Sequence, residues 1–337
     1  MAYHHTSRAP GGDFVAVAAG DGHEPSASSG WVTDLAAALF DNLSRVIRGK
    51  PEAIRLALVA VLSGGHLLVE DVPGVGKTLL AKALARSVGG TFGRIQATSD
   101  LLPAELTGVN VFLAGDERWE FRPGPLFANV VLVDEINRTT PRTQSALLEA
   151  MEEHQVTVDG DSRPLPDPFF VVATQNPFEQ AGTFPLVEAQ RDRFAVVMHL
   201  GHPERPAERE LLLGTGGVDS LDDLSPVTTP AGLQSAVAEV RSVHCEPVVA
   251  DYVIDVAAAT RDHPDVVRGV SPRATLGLLH AAKAHAAMGG RRFVVPDDVQ
   301  AVAAPALAHR LLLPVGPDVH AGGQVVRGIV DALPVPP

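Results

Sequence analysis

The stretch His66-Leu-Leu-Val-Glu-Asp-Val-Pro-Gly-Val-Gly-Lys-Thr78 limits what this chain can fold into more than any other. An apolar run, His66 to Val69, enters a turn holding Pro73, Gly74 and Gly76, and Lys77 and Thr78 then open a helix, Leu79 to Val88. Strand, glycine-containing loop and helix in that order make an anion cradle. Backbone N–H groups wrap a phosphate, and the helix N-terminus adds partial positive charge. In the P-loop pattern G-x-x-x-x-G-K-[ST] the lysine reaches the β- and γ-phosphates and the hydroxyl ligates Mg²⁺. Gly76, Lys77 and Thr78 fill the last three places, whereas Asp71 stands where the pattern has its first glycine. Pro73 and Gly74 still supply turn chemistry, so the loop is expected to close, with Val75 and Leu79 counted among the residues around the nucleotide.

Composition narrows the class. The chain has 337 residues and a net charge of -13, and it shows no long Lys/Arg run, which disfavours a nucleic-acid surface. Cys245 is the only cysteine, so there is no disulfide framework, as expected of a cytoplasmic protein. No apolar stretch approaches the ~18 residues that cross a bilayer, and Phe14 to Ala19 is too short for a signal peptide. The 13 histidines show no metal-ligand spacing and are read as solvated or structural.

Taken in order, residues 1–30 lack core-forming residues and read as a disordered arm. A helix over about 31–47 carries Leu35, Leu39, Leu43 and Val46 on one stripe, and Pro51 to Leu62 forms a second. Gly49, in the break between them, is also counted as nucleotide-contacting. Strands follow at Phe92 to Gln96, Val130 to Val133, Phe169 to Ala173 and Phe194 to Leu200, with helices at Thr143 to Glu153 and Leu186 to Arg191. Five short strands alternating with helices predict an α/β core with a doubly wound parallel sheet. Two hairpins interrupt it, at about 109–121 and, around Asp159-Gly160, at about 154–168. Residues 203–230, rich in Pro and Gly with a short helix from Ala207 to Leu213, read as a linker. Candidate helices at 231–241, 247–261, 272–288 and 296–313 predict an all-α C-terminal domain over 231–314, and 315–337 reads as a tail.

In open α/β sheets ligands bind beyond the carboxyl ends of the strands. Lys77, Asp134, Glu135 and Asn176 all fall there. Asp134 can hold a Mg²⁺ shell and Glu135 can polarise a water, although Asp-Glu also serves as a plain strand exit. Asn176 can orient that water or touch the γ-phosphate, and an Asn before Pro177 is equally a turn former. Arg191 and Arg193 have no carboxylate partner assignable from sequence. Either can reach an adjacent subunit's phosphate, or lie in a surface salt bridge. Ser271 and Pro272 suit the start of a helix, which puts Arg273 in the first turn, where the macrodipole disfavours a cation. A phosphate of bound ATP is the anion expected to meet it, unless Arg273 is simply exposed.

Asp134-Glu-Ile-Asn-Arg-Thr-Thr-Pro-Arg-Thr-Gln-Ser-Ala-Leu-Leu-Glu-Ala-Met-Glu-Glu153 resembles the Walker B segment of the MoxR family of AAA+ ATPases. Ala173-Thr-Gln-Asn-Pro177, Phe184-Pro-Leu-Val-Glu-Ala-Gln-Arg-Asp-Arg-Phe194, Val270-Ser-Pro-Arg-Ala274 and Pro296-Asp-Asp-Val299 resemble that family too. The likeness covers about 31–314. It implies an AAA+ core over 31–202 with a helical lid behind it. Asn176 is similar to sensor 1, Arg193 to the arginine finger (Arg191 more weakly) and Arg273 to sensor 2. The hairpins are similar to the family's helix-2 insert and pre-sensor-1 hairpin. It also implies ATP and Mg²⁺ as ligands, hydrolysis in a hexameric ring, and protein partners bearing von Willebrand factor A domains. ATP is expected between core and lid. A nucleic-acid motor and a metal-chelatase motor subunit are alternatives on the same fold, and a nucleotide-gated module that barely hydrolyses is a further one.

Overall fold

A computed structural model describes residues 30–177, 182–213, 220–314, 316 and 318–336. The predicted N-terminal arm lies outside these residues, apart from Gly30. Helix α1 (Trp31–Val46) buries the stripe Leu35, Leu39, Leu43 and Val46, and α2 (Pro51–Leu62) starts on its proline. Strand β1 (His66–Glu70) leads through the loop to α3 (Lys77–Ser87) and β2 (Phe92–Gln96). A short helix, α4 (Pro103–Thr107), then precedes the hairpin β3 (Gly108–Leu113) and β4 (Arg118–Pro123). Strand β5 (Val130–Asp134), a 3-10 turn at Ile136–Arg138 and helix α5 (Pro141–Glu153) come next, followed by the hairpin β6 (Gln155–Val158) and β7 (Asp161–Pro164). Strand β8 (Phe170–Gln175), α6 (Glu188–Arg191) and β9 (Phe194–Met198) complete the core, and α7 (Arg205–Leu212) lies in the linker.

The five-stranded sheet has the order β2-β5-β8-β1-β9, with every neighbouring pair parallel. Every residue of β1 and β5 is buried, as continuous apolar runs in a sheet covered on both faces require. The ends of β1, β5 and β8 therefore open on one edge, which is where the candidate residues were expected.

The two hairpins are fastened to each other. Asn110 Nδ2 donates to Asp159 Oδ2 at 2.7 Å, and Arg163 Nη2 donates to Asn110 Oδ1 at 3.4 Å. The Arg163 guanidinium also lies 4.0 Å from the centre of the Phe121 ring. The second hairpin turns on Asp159 and Gly160, both at positive φ, the backbone that a two-residue turn of this twist demands. Phe112 and Trp119 face solvent with ring centres 5.3 Å apart.

The C-terminal domain comprises α8 (Pro230–Ser242), α9 (Pro247–Asp262), α10 (Pro272–Met288), α11 (Pro296–Leu307) and α12 (Val319–Ala332). One apolar cluster runs from α1, α2 and α3 through β9 into these helices. His309 Nε2 and Arg310 Nη2 both donate to the Phe194 carbonyl, at 2.9 and 2.8 Å, which pins the domain to the start of β9. The helix expected over 296–313 ends early. Pro305 lies near its end, and a 3-10 turn at Ala308–Arg310 follows.

The tail expected at 315–337 is corrected: most of it is α12. Asp318 caps the helix on the Ala321 N–H at 2.9 Å, and Gly322, Gly323, Val326, Ile329 and Val330 are buried. Gly322-Gly323 and Gly328 read as breakers in sequence. In the fold, a Cβ on Gly322 would lie 2.5 Å from the Ala308 carbonyl oxygen, so the glycine is what lets the helix seat.

Candidate active site

Between β1 and α3 the loop passes through Gly74 at φ 87° and Gly76 at φ 101°. No side chain caps the first turn of α3, so its leading N–H groups remain available to an anion. They border a cavity of about 740 Å³ lined by Pro73, Gly74, Val75, Gly76, Lys77, Thr78 and Leu79. Asp134, Glu135, Arg94, Gln96 and Thr174 close it from the sheet, and Arg48, Lys50, Leu211 and Leu221 from outside. Lys77 is buried, and its ammonium donates to the Asp71 carbonyl at 2.8 Å. Burial lowers its pKa, with the charges of Asp71, Asp134 and Glu135 opposing. Asp71 itself ties the loop down. Its carboxylate accepts from the Val72 N–H at 2.9 Å and from the Gly201 N–H, just past β9, at 2.6 Å.

Asp134 is the last residue of β5, and its Oδ2 accepts from Arg94 Nη2 at 2.8 Å and Nε at 3.0 Å. Glu135 sits at φ 57°, a left-handed backbone costing about 1–3 kcal/mol for a residue with a Cβ. Its N–H donates to Thr174 Oγ1 at 2.9 Å, which joins the strained turn to β8. Arg138 Nε lies 2.8 Å from Glu135 Oε2. One buried ammonium, two carboxylates, a hydroxyl and a row of backbone N–H groups thus converge on one cavity. The residues fit a nucleoside triphosphate with a divalent cation: N–H groups and Lys77 for phosphates, and Thr78 and Asp134 as oxygen ligands.

Some expected site residues flank the cavity without lining it. Gly49 is not among the lining residues, although Arg48 and Lys50 are. It holds φ 69° where a Cβ would meet that of Ala207 at 2.8 Å, a close approach that calls for glycine. Asn176 follows β8 directly, next but one to Thr174, without lining the cavity itself. Arg191, the weaker finger candidate, is buried, which lowers its pKa against the pull of Glu70 and Glu188.

Arg273, expected against a phosphate of bound ATP, is turned to a carboxylate. No residue of α8–α12 lines the cavity. Arg273 Nη2 instead donates to Glu152 Oε1 at 2.6 Å, and Arg193 Nη2 pairs with Glu152 Oε2. Glu152 is the last residue but one of α5, a helix about 20 Å long by its thirteen residues that begins six residues after Glu135. Arg193 directly precedes Phe194, which pairs with His66 at the start of β1, so the cluster lies toward the sheet edge opposite the one that bears the phosphate loop. The Arg273 hydrogen bond, seconded by the Arg193 charge, holds the Glu152 carboxyl below its ordinary pKa. Arg94 and Glu152 escaped the sequence reading. Arg94 left a signal, a charge on a strand whose neighbours alternate inward, whereas Glu152 left none.

Residues 66–196 match the AAA_3 family, described as the ATPase family associated with various cellular activities, and residues 258–328 match the AAA lid domain. Over 301 residues the chain is 41% identical to Chaperone MoxR1 of Mycobacterium tuberculosis, covering 84% of this chain and 76% of that protein. The chain belongs to the MoxR family of AAA+ ATPases. This MoxR-family chain is also 45% identical over 300 residues to YeaC, an uncharacterized protein of Bacillus subtilis, covering 88% of the one and 93% of the other. A crystal structure of a candidate ATPase from Cytophaga hutchinsonii matches it with a TM-score of 0.82 at 33% identity, covering 91% of this chain and 96% of that one. The lid match runs into α12, in keeping with a helical domain that continues past residue 314.

Proposed function

We propose that this chain hydrolyses ATP as one subunit of a ring, each site being completed by the next copy, and that the ring remodels client protein complexes. The observation that carries the reading is the separation just described. Lys77, Asp134 and Glu135 share one cavity, while Arg193 and Arg273 are gathered on Glu152 beyond the length of α5. The cavity holds its own base, its own lysine and the cations Arg48, Lys50 and Arg94, but neither Arg193 nor Arg273. The family's arginines, held away from it, serve a neighbour.

In this reading the backbone N–H groups of Gly74 to Thr78 and the Lys77 ammonium bind the phosphates. Thr78 and Asp134 hold Mg²⁺, which when bound neutralises phosphate charge. Glu135 takes the proton of the attacking water, and Asn176 orients that water from the end of β8. Arg193 and Arg273 of the adjacent copy stabilise charge on the transferred group, worth about 10³–10⁵ in rate for a finger of this kind. A cytoplasmic setting and a hexameric ring belong to the same reading. So do clients carrying von Willebrand factor A domains, which the exposed Phe112–Trp119 pair suits as a contact.

The test mixes two inactive variants. Lys77→Ala removes the pocket and leaves the arginines, and Arg193→Ala does the reverse. Hydrolysis that returns on mixing supports completion between copies. A mixture as inactive as its parts would sink it.

A further inference from the structure

Glu152 joins two arginines that arrive from distant parts of the chain. Arg193 precedes β9, and Arg273 stands in the first turn of α10. One carboxylate serves both, Oε1 for Arg273 at 2.6 Å and Oε2 for Arg193. The backbones beneath them are already clasped. Ser271 caps α10 on the Ala274 N–H at 3.1 Å, and its hydroxyl donates to Asp192 Oδ2 at 3.0 Å. The two guanidiniums are thus brought together by the fold, and without an anion between them they would repel each other. Glu152 cancels one of the two charges, so the cluster keeps a net positive charge. Their side chains remain 25% and 51% exposed, within reach of a second molecule. Arg193 Nε is buried with no acceptor, which leaves the Glu152 pairing as the contact that sets this side chain's direction.

We infer that Glu152 is a positioning residue that presents Arg193 and Arg273 as a single two-pronged group to the γ-phosphate bound by the adjacent copy. This rests on the reading that the arginines act between copies. A phosphate oxygen carries the same charge and acceptor geometry as the carboxylate that holds the pair, so the arrangement needed at the neighbour's nucleotide is already formed.

Glu152→Gln keeps the side chain's shape and removes its charge. Hydrolysis by this variant is expected to fall about 10²-fold, the usual cost of misplacing a positioned group. KM and the affinity for a fluorescent ATP analogue are expected to stay unchanged, because the variant's own pocket is intact. Mixing Glu152→Gln with Lys77→Ala subunits is expected to restore hydrolysis, since the latter lend intact arginines to the former's intact pockets. Glu152→Asp, which keeps the charge on a shorter arm, is expected to fall between the wild type and Glu152→Gln. Thermal unfolding of both variants checks that the fold survives. The Arg193→Ala and Lys77→Ala mixture runs alongside. If it recovers and the Glu152→Gln mixture does not, Glu152 serves its own pocket and the inference is overturned. Wild-type turnover by Glu152→Gln, or weakened analogue binding, overturns it as well. If neither mixture recovers, completion between copies is wrong and this inference falls with it.

Discussion

Asp71 replaces the glycine of the P-loop pattern, and its carboxylate makes two hydrogen bonds that a glycine could not. One goes to Val72 and one to Gly201, so the phosphate loop is fastened to the exit of β9. Asp71→Gly, which restores the pattern, is therefore expected to destabilise the fold by about 1–3 kcal/mol. Urea unfolding of the pair measures this, and an unchanged midpoint would count against the fastening. His66 makes a different case. Its Nε2 donates to the Met151 carbonyl at 3.0 Å and its Nδ1 accepts from the Val171 N–H at 3.1 Å, which leaves no place for a second proton. Burial, first, and the nearby His154 lower its pKa from 6.5 to about 4. The folded form thus binds fewer protons than the unfolded one between these values. The stability it contributes is complete above pH 6.5 and is lost as pH falls toward 4, on the order of 3 kcal/mol in all. His66→Gln should flatten that part of the pH–stability curve. Lys77, Thr78, Asp134 and Glu135 were legible in the sequence because each stands next to the strand or helix that places it. Arg273's partner was not, because Glu152 lies 121 positions away and its acidic neighbours read the same.

At the scale of elements, the buried strands announced themselves as unbroken apolar runs, and the Asp159-Gly160 turn by its residue types. Helix α12 did not, because three glycines in fourteen residues suppress any helical signal. Its requirement is tertiary: the backbone must approach the Ala308 carbonyl. Gly322→Ala puts a methyl group 2.5 Å from that oxygen and is expected to cost about 1–3 kcal/mol, although alanine is the better helix former. A raised melting temperature would mean that propensity outweighs the contact. Helix α4 was missed for a plainer reason, its five residues being too few to show a period.

At the scale of the whole molecule, the parallel five-stranded sheet followed from the alternation of strands and helices, whereas its strand order, β2-β5-β8-β1-β9, did not. Nor did the seat of the lid. Ser271 on Asp192, with His309 and Arg310 on the Phe194 carbonyl, dock the helical domain at the start of β9, away from the cavity. No periodicity in either segment encodes that contact. On the proposed reading, a chain so arranged carries half of two sites rather than all of one. Specific ATPase activity is accordingly expected to fall on dilution, as rings dissociate, and to recover on reconcentration. Activity per subunit that is constant across dilution would point to a self-sufficient monomer.

Arg163, a residue of the second inserted ribbon, is hydrogen-bonded to the first at Asn110 and stacked on its Phe121. A tug on either ribbon is consequently felt by its companion directly, with no detour through the central sheet. The exposed Phe112–Trp119 pair is thereby carried on one braced unit, instead of on two fingers able to bend apart.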